Sequence, residues 1–377
     1  MSDIQRIGCA ILRAGTSKGI FLKENDLPDD PRERDQKIME IFGSPDVRQI
    51  DGLGGADPLT SKVAIIGPPS RPDADVDYTF GQVGITEPLV DYSGNCGNIS
   101  SGVGPFAIDE GLVRAVEPVT RVRINNTNTG KILVAEVPVR NGKAMVVGDY
   151  KIDGVPGAGA KIIMDFAGTA GAATGKILPT GNLVDVLDIA GFGKLEASIV
   201  DVANPMVFVR AGDLGLTGIE TPSEINGDKK MLALLEQIRG KTAVIIGMAK
   251  NEADALHRSP AFPMIAFVSG PQDYVAFTTG NKIKAGQVDL VARLMYMQVM
   301  HKTYAGTGTT CTGAAARLPG TIVNKLAGMP SSLVRIGHPA GVIDIEIKVR
   351  TEGHEVRLER AAFGRTARRL MDGYVYL

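Results

Sequence analysis

One arrangement occurs twice in this chain of 377 residues, and it limits the possible folds more than any other feature of the sequence. A loop of small residues, Ser-Gly-Asn at 93–95, leads into Cys96, and the apolar residues that follow recur at three- and four-residue spacing. That spacing predicts a helix that starts close to the cysteine. Small residues over 305–310 likewise precede Cys311, and a second helix is predicted over 312–325. An internal duplication explains both segments.

A duplicated chain of this length predicts two domains, because a single hydrophobic core rarely serves more than about 250–300 residues. The Gly-rich stretch 168–182 has no periodicity and strong turn chemistry, which suits a linker or the rim of an active site. We therefore predict one domain over residues 1–184 and another over 185–377, each β-rich and wrapped around a central helix. The expected fold class is α+β.

Short runs rich in β-branched residues, separated by Gly, Asn and Pro, predict an antiparallel sheet in the first half. These runs cover 6–12, 19–22, 61–66, 76–80, 119–124, 132–139 and 144–147. A helix is predicted over 31–42, with Pro31 in its first turn. In the second half, strands are predicted over 198–202 and 206–210, and helices over 222–238 and 287–301.

Charge and composition argue against several classes of protein. Forty-one basic and forty-two acidic side chains leave a formal charge of -1, with no basic stripe, so nucleic acid is not an expected partner. No apolar run reaches the roughly 18–20 residues that span a bilayer, and the first thirty residues carry charges throughout. Three scattered cysteines suit a reducing compartment, so we expect a cytoplasmic protein without a membrane segment.

The sequence predicts neither a metal nor a cofactor. The four histidines and three cysteines lack the spacing of a metal site. The segment ending in Gly175-Lys176 invites comparison with a phosphate-binding loop, which needs Gly and Ser or Thr where this chain has Ala170 and Ile177. Nucleotide binding therefore has little support.

Lys62 lies in an apolar run that is predicted to be a strand, and two interpretations are open. A lysine in a strand usually points to solvent, and the local sequence favours that interpretation. A buried amine would instead have a pKa below its usual value of about 10.4 and would act as a base near neutral pH.

Cys96 has the stronger local case for function. The sequence places it at a helix N-terminus, where unpaired backbone N–H groups stabilise anions and would lower the pKa of a thiol. The amides of Gly97 and Asn98 could also hold a carboxylate there. The alternative is a small buried cysteine that packs between sheet and helix. Cys311 has similar surroundings in the sequence, whereas Cys9 is expected in the core.

Two further segments are open to both structural and functional interpretation. Residues 15–19 (Gly-Thr-Ser-Lys-Gly) suit a hairpin turn, and as a substrate loop they would present Thr16, Ser17 and Lys18 to a carboxylate. The dipeptide Asn204-Pro205 at the start of a predicted strand is similarly ambiguous.

Several separated motifs together resemble one known family, the PrpF-type proteins. The motifs are Gly-Thr-Ser-Lys-Gly at 15–19, Gly54-Gly55, Pro-Leu-Thr-Ser-Lys at 58–62, Ser-Gly-Asn-Cys-Gly-Asn at 93–98, Pro-Thr-Gly-Asn at 179–182, Asn204-Pro205 and Thr307-Gly308. That family includes 2-methylaconitate cis-trans isomerase, 4-oxalomesaconate tautomerase and methylitaconate delta-isomerase. The resemblance covers essentially the whole chain, and the placement of Lys62 and Cys96 is most similar to methylitaconate delta-isomerase.

The resemblance implies a fold similar to diaminopimelate epimerase, with two pseudo-symmetric β-barrel halves, each around a central helix. Residues 96–98 and Asn204-Pro205 match motifs of that epimerase. Thr310 stands about where the epimerase has its second catalytic cysteine, with Cys311 one place later. The epimerase's Glu-Arg pair is replaced by Tyr304-Ala305, which argues against an α-amino acid substrate.

The activity that the resemblance implies is a shift of a C=C bond by proton transfer on a small unsaturated di- or tricarboxylate. The conversion of 3-methylitaconate to 2,3-dimethylmaleate is expected first, and 2-methylaconitate isomerisation or 4-oxalomesaconate tautomerisation are alternatives. Lys62 and Cys96 are the predicted catalytic pair. The predicted substrate-binding residues are Thr16, Ser17, Lys18, Ser61, Ser93, Asn95, Gly97, Asn98, Asn204, Thr310, Cys311 and Thr312.

Two rival functions stay open at this point, and the assembly state is a further expectation. An amino-acid racemase on the same fold would need a second thiol in the position related to Cys96. A non-catalytic protein that binds a polycarboxylate would not need Lys62 or Cys96. We also expect a homo-oligomer.

Overall fold

The computed structural model describes residues 5–352 and 355–377, which form two compact units. The first unit contains the described residues up to Met164 together with Gly364–Leu377, and the second contains Asp165–Phe363. The domain boundary predicted after residue 184 therefore lies inside the second unit. The C-terminal segment belongs to the first unit because the last strand pairs along its length with the first strand.

Strands make up most of the regular secondary structure. The strands of the N-terminal part are β1 (Arg6–Ala14), β2 (Ser17–Lys23), β3 (Lys62–Gly67), β4 (Val76–Val83), β5 (Val90–Asp91), β6 (Val119–Asn126), β7 (Lys131–Arg140), β8 (Lys143–Ala144) and β9 (Ile162–Asp165). The later strands are β10 (Asp185–Ile189), β11 (Gly193–Val202), β12 (Asn204–Arg210), β13 (Met264–Ser269), β14 (Tyr274–Val275), β15 (Lys282–Ile283), β16 (Leu290–Tyr296), β17 (Val299–Met300), β18 (Leu333–His338), β19 (Gly341–Glu352), β20 (Glu355–Arg365) and β21 (Ala367–Tyr376). The helices are α1 (Pro31–Phe42), α2 (Gly97–Asp109), α3 (Pro222–Gly227), α4 (Lys229–Ile245), α5 (Glu252–Arg258), α6 (Gly306–Arg317) and α7 (Ile322–Ala327).

In the first unit, a mixed sheet surrounds α2. From β21 the order runs through β1, β2, β3, β4 and β6 to β7, and α2 contacts every one of these strands. The pairs β2–β3 and β4–β6 are parallel, so the prediction of an antiparallel sheet is wrong at these two places. Parallel neighbours need a crossover connection, and here α1 and α2 lie in the two crossovers.

The second unit repeats this topology around α6. The pairs β11–β12, β13–β16 and β18–β19 are antiparallel, and β12–β13 and β16–β18 are parallel. This is the same alternation that β1–β2, β2–β3, β3–β4, β4–β6 and β6–β7 show in the first unit. The internal duplication predicted from the sequence is confirmed.

The helix predictions vary in accuracy. The predicted helix over 31–42 is α1, and its inward residues Ile38, Ile41 and Phe42 pack in the core of the first unit. The segment 287–301, predicted as a helix, is instead β16 followed by β17. All seven residues of β16 are buried, so its apolar run has no alternating pattern that would distinguish a strand from a helix. The helix predicted over 222–238 is divided at Asp228, whose carboxylate accepts from the first amides of α4.

The second cysteine-linked helix begins earlier than predicted. Its first residue is Gly306 and its N-cap is Ala305, so Cys311 lies in the middle of α6 and not before it. Glycines of this helix serve close packing: a Cβ at Gly308, within the segment that suggested a loop, would lie 2.5 Å from Leu294, and one at Gly313 would lie 2.7 Å from Ile345. Tertiary packing has overridden weak helix propensity here.

None of the described helices combines the length and apolar character needed to cross a membrane.

Candidate active site

The N-terminus of α2 is the first element of the site. Cys96 is the N-cap residue and is partly exposed, and its own side chain makes no capping hydrogen bond. By contrast, the carboxylate of Asp30 accepts from two amides at the start of α1. The first amides of a helix have no intrahelical acceptor, so the N-terminus of a helix favours an anion. The amide and hydroxyl of Ser100 each donate to the Cys96 carbonyl at 2.9 Å, which fixes the cysteine backbone.

Lys62 is the second element, and it points inward. It is only 2% exposed, and its Nζ donates to Gln82 Oε1 at 2.6 Å and lies 5.3 Å from the centroid of the Phe80 ring. Burial lowers the pKa of Lys62 from its ordinary value of 10.5, and the charges of Cys96 and Asp57 act in the opposite direction. The interpretation that the local sequence favoured, in which Lys62 points to solvent, is therefore wrong. All six residues of β3 are buried, so this strand has no solvent face.

The turn between β1 and β2 is tied to the start of α2 through Asn98. Asn98 Oδ1 lies 3.4 Å from the Thr16 amide, and Asn98 Nδ2 donates to Thr16 Oγ1 at 3.1 Å. Ala14 pairs with Ser17, so the predicted hairpin turn is confirmed. Gly15 has φ +54°, and a Cβ there would lie 2.2 Å from Asn98 Oδ1, so only glycine allows this approach.

Arg365 is a site residue that the sequence did not predict. It ends β20, is 2% exposed, and its Nε donates to Asn98 Oδ1 at 3.0 Å. Burial lowers the pKa of Arg365 to about 10, while the charges of Tyr150 and Cys96 oppose this shift. The guanidinium therefore stays protonated at neutral pH. The available signal was an arginine directly after the small apolar run Ala-Ala-Phe-Gly at 361–364.

Two buried cations thus interact electrostatically with one thiol at a helix N-terminus. The charge of Cys96 acts on both Lys62 and Arg365. In such a desolvated setting, charge–charge interactions are stronger than in water. The arrangement can bind a small dianion and can place a proton donor or acceptor beside it.

Three predicted residues come from the β1–β2 hairpin. Thr16 faces Asn98, as described above. The hydroxyl of Ser17 is buried and has no hydrogen-bond partner among the described residues. Lys18 is half-buried, and its amide donates to the Leu59 carbonyl at 3.0 Å, so the turn also contacts the segment that leads into β3.

The remaining predicted residues of the first unit differ in their surroundings. The Ser61 hydroxyl is fully buried, where it donates to the Val83 carbonyl at 3.0 Å and accepts from Gln49 at 2.8 Å. Asn95 is buried, and its Oδ1 accepts from Ser100 at 3.1 Å. Ser93 is exposed. Ser61 and Asn95 therefore support the strand and the loop around the site.

Asn204 lies in the second unit and repeats the contact made by Asn98. Its Nδ2 donates to Oγ1 of Thr307 at 3.0 Å, and Thr307 is the second residue of α6 as Asn98 is of α2. Each central helix is therefore bound near its start to the hairpin turn of its own unit.

The other three predicted residues are enclosed in α6. Thr310 Oγ1 donates to the Gly306 carbonyl at 3.1 Å, and Thr312 hydrogen-bonds the Tyr304 hydroxyl at 2.9 Å. Cys311 Sγ donates to the Val200 carbonyl at 3.3 Å, and burial raises the pKa of its thiol. All three side chains are 0% exposed. The predicted likeness between the surroundings of Cys311 and Cys96 is wrong, because the N-cap position of α6 belongs to Ala305.

Within residues 5–352 and 355–377, no three His, Cys, Asp or Glu side chains are grouped closely enough to hold a metal ion.

Comparison with solved structures shows the fold class. The chain superimposes on a hydroxyproline epimerase from Agrobacterium vitis with a TM-score of 0.58, covering 99% of this chain and 93% of that one at 11% identity. This likeness shows the fold, so the predicted epimerase-like architecture of two pseudo-symmetric halves is confirmed.

The family follows from the sequence itself. Residues 4–377 match the family model described as PrpF protein, and the chain belongs to that family. A 3-methylitaconate isomerase from Eubacterium barkeri is 65% identical, over all of this chain and 98% of that relative. A 2-methyl-aconitate isomerase from Cupriavidus necator is 41% identical, over 98% of this chain and 96% of the relative. The crystal structure of a methylitaconate-delta-isomerase matches with a TM-score of 0.81 and 64% identity, covering all of this chain and 96% of that one.

Proposed function

We propose that this protein is an isomerase that converts 3-methylitaconate to 2,3-dimethylmaleate. The observation that supports this most strongly is the site itself, in which a buried amine and a thiol at a helix N-terminus interact. The 65% identity to a 3-methylitaconate isomerase supports the choice of substrate.

The reaction moves one proton and one double bond. The C–H bond at C3 of 3-methylitaconate breaks, and its electron pair forms the new C2=C3 bond. The electrons of the former C=CH₂ bond take up a proton at the terminal carbon, which becomes a methyl group. The substrate and the product have the same composition and oxidation state. The reaction therefore needs no redox cofactor.

Lys62 and Cys96 supply the proton transfer in this proposal. A base near neutral pH needs a pKa close to the working pH, and burial moves the pKa of Lys62 in that direction. The two groups interact, and either one can take the first proton while the other returns a proton to the terminal carbon.

The substrate carboxylates are held by the N-terminus of α2 and by Arg365. The amides of Gly97 and Asn98 belong to the first turn of α2, where the helix dipole favours a negative charge. Arg365 contributes a charged guanidinium that Asn98 orients through a 3.0 Å hydrogen bond. The buried hydroxyl of Ser17, at the β1–β2 hairpin, adds a polar group. Negative charge that develops on a carboxylate during C–H cleavage is stabilised by the same groups.

We place the enzyme in the cytoplasm, on the basis of its three free cysteines.

The direct test is isotope exchange. The purified protein is incubated separately with 3-methylitaconate, 2-methylaconitate and 4-oxalomesaconate in deuterium oxide, and label uptake is followed by NMR. We expect deuterium in a methyl group of 2,3-dimethylmaleate, at a higher rate than any change in the other two acids. Fastest turnover of another acid would reassign the substrate. No exchange with any of the three would support a binding protein without turnover.

A further inference from the structure

We infer that Gln82 is a positioning residue that orients the Lys62 amine and sets its protonation by offering it a neutral hydrogen-bond acceptor. This inference rests on the proposed function only where it concerns turnover. The orientation and the titration of Lys62 can be measured without a substrate.

The geometry leaves the Gln82 amide one orientation. Lys62 and Gln82 face each other as a cross-strand pair of β3 and β4, and both are 2% exposed. Gln82 Oε1 accepts from Lys62 Nζ at 2.6 Å. Gln82 Nε2 donates to the Ser61 carbonyl at 3.0 Å and to the Pro58 carbonyl at 3.3 Å. A flipped amide would place NH₂ against the ammonium and oxygen against two carbonyls, so the backbone fixes the oxygen toward Lys62.

A neutral acceptor has a particular electrostatic consequence for this lysine. The titratable groups that act on Lys62 are Asp57, from the segment before β3, and Cys96, from the start of α2. Both favour the ammonium form, and burial opposes it. A carboxylate at position 82 would add a third charge favouring the ammonium form and would keep the amine protonated over more of the pH range. An amide holds the nitrogen in place without adding that charge.

At the corresponding strand positions of the second unit, both the lysine and the glutamine are replaced by other residues. The last two residues of β16, Met295 and Tyr296, pair with β17 as Gln82 and Val83 of β4 pair with β5, and neither of them carries an amide side chain. Met264 opens β13 where Lys62 opens β3. The duplicated scaffold therefore holds its strands together at this position without an amide, so the strand pairing itself does not require Gln82.

Two substitutions move the titration of Lys62 in opposite directions. Gln82→Glu keeps the shape and adds a charge, so we expect the pKa of Lys62 to rise by about one to three units. Gln82→Met removes the acceptor, so we expect that pKa to fall and kcat to drop about 10- to 100-fold as the amine loses its orientation. The pKa is read from the ¹³Cε resonance of labelled lysine, assigned with Lys62→Met, and the limb of the pH–rate profile that belongs to Lys62 should move with it.

Gln49→Met is the matched control. Gln49 is as deeply buried, and its amide donates to the Ser61 hydroxyl at 2.8 Å, next to Lys62 in sequence. Its loss should lower thermal stability and leave the Lys62 titration unchanged. Unchanged Lys62 titration in both Gln82 variants, or equal movement in Gln49→Met, would overturn the inference. If the titration moves as expected but the wild-type protein turns over none of the three acids, the inference stands and the proposed function fails.

Discussion

The two units of this protein have the same strand order, and each surrounds one central helix. At the first residue of β3 or β13 and at the N-cap of the central helix, only the first unit has groups suited to proton transfer. In the first unit, Lys62 is the first residue of β3 and Cys96 is the N-cap residue of α2. In the second unit, Met264 is the first residue of β13 and Ala305 is the N-cap residue of α6. The scaffold therefore folds with apolar residues at both of these positions.

This difference separates what the fold requires from what the chemistry requires. Both units keep a polar link between the hairpin turn and the second residue of the central helix, Asn98 with Thr16 in one and Asn204 with Thr307 in the other. That link belongs to the fold. A buried lysine carries a desolvation penalty that a methionine in the same position does not. Lys62 is thus a local departure from good packing, of the kind found at functional sites.

Replacing Lys62 by methionine, the residue that begins β13 in the second unit, should have the largest effect on kcat. We expect Lys62→Met to lower kcat by about 10²–10⁴-fold or more, because a positioned proton-transfer group is lost. Lys62→Arg should fail as well, since a guanidinium keeps its proton at any working pH. Steady-state kinetics on 3-methylitaconate measures both, with circular dichroism to show that the fold is retained. A Lys62→Arg enzyme with normal kcat and a raised KM would reduce Lys62 to a carboxylate-binding residue.

Cys96 and Cys311 have similar sequence surroundings, but their substitution should affect kcat differently. Cys96→Ala should lower kcat about 10²–10⁴-fold, and iodoacetamide should inactivate the wild-type enzyme unless substrate protects it. Cys311→Ala should retain kcat within a few-fold, because its thiol is enclosed in α6 and burial raises its pKa. Mass spectrometry of the alkylated protein identifies the modified thiol. Inactivation with Cys96 left unmodified would contradict its role.

Arg365 has an intermediate expected effect, mainly on binding. Arg365→Lys keeps the charge but loses the planar donors and the hydrogen bond to Asn98, so we expect KM to rise about 10- to 100-fold with a smaller change in kcat. Arg368→Lys, an exposed arginine on the neighbouring β21, is the control and should leave both constants unchanged. Equal kinetics for the two variants would remove Arg365 from the site.

The smallest effect concerns stability and pH. The folded-state pKa of Lys62 lies below its ordinary value of 10.5, so between these two values the unfolded chain binds more protons than the folded chain. The free energy of unfolding of the wild-type protein should therefore rise with pH in this window relative to Lys62→Met, by about 1.4 kcal/mol for each pKa unit of the shift. Urea denaturation of both proteins from neutral pH to pH 10.5 measures it. Parallel curves would mean that the environment of Lys62 leaves its pKa unshifted.

Local signals in the sequence determined a large part of this structure. Pro31 and the spacing that follows it defined α1 in full, and the glycines around Thr16 defined the hairpin. The residues after Cys96 placed that thiol at a helix start, and the separated motifs identified the family and its fold. Each of these features depends on neighbours within a few residues or on fixed motifs, so it can be recognised along the chain.

Tertiary structure decided the rest. Lys62 faces inward because β3 is covered on both sides, and no local pattern distinguishes that case from an exposed lysine. Arg365 reaches Asn98 across 267 positions of the sequence, and its role depends on the return of the C-terminal segment to the first unit. Residues 306–310, which the sequence suggested as a loop, begin α6, and Gly308 there packs closely against Leu294 of β16. Burial and long-range contact arise only when distant segments meet, which is why the sequence could indicate the reacting groups but not their surroundings.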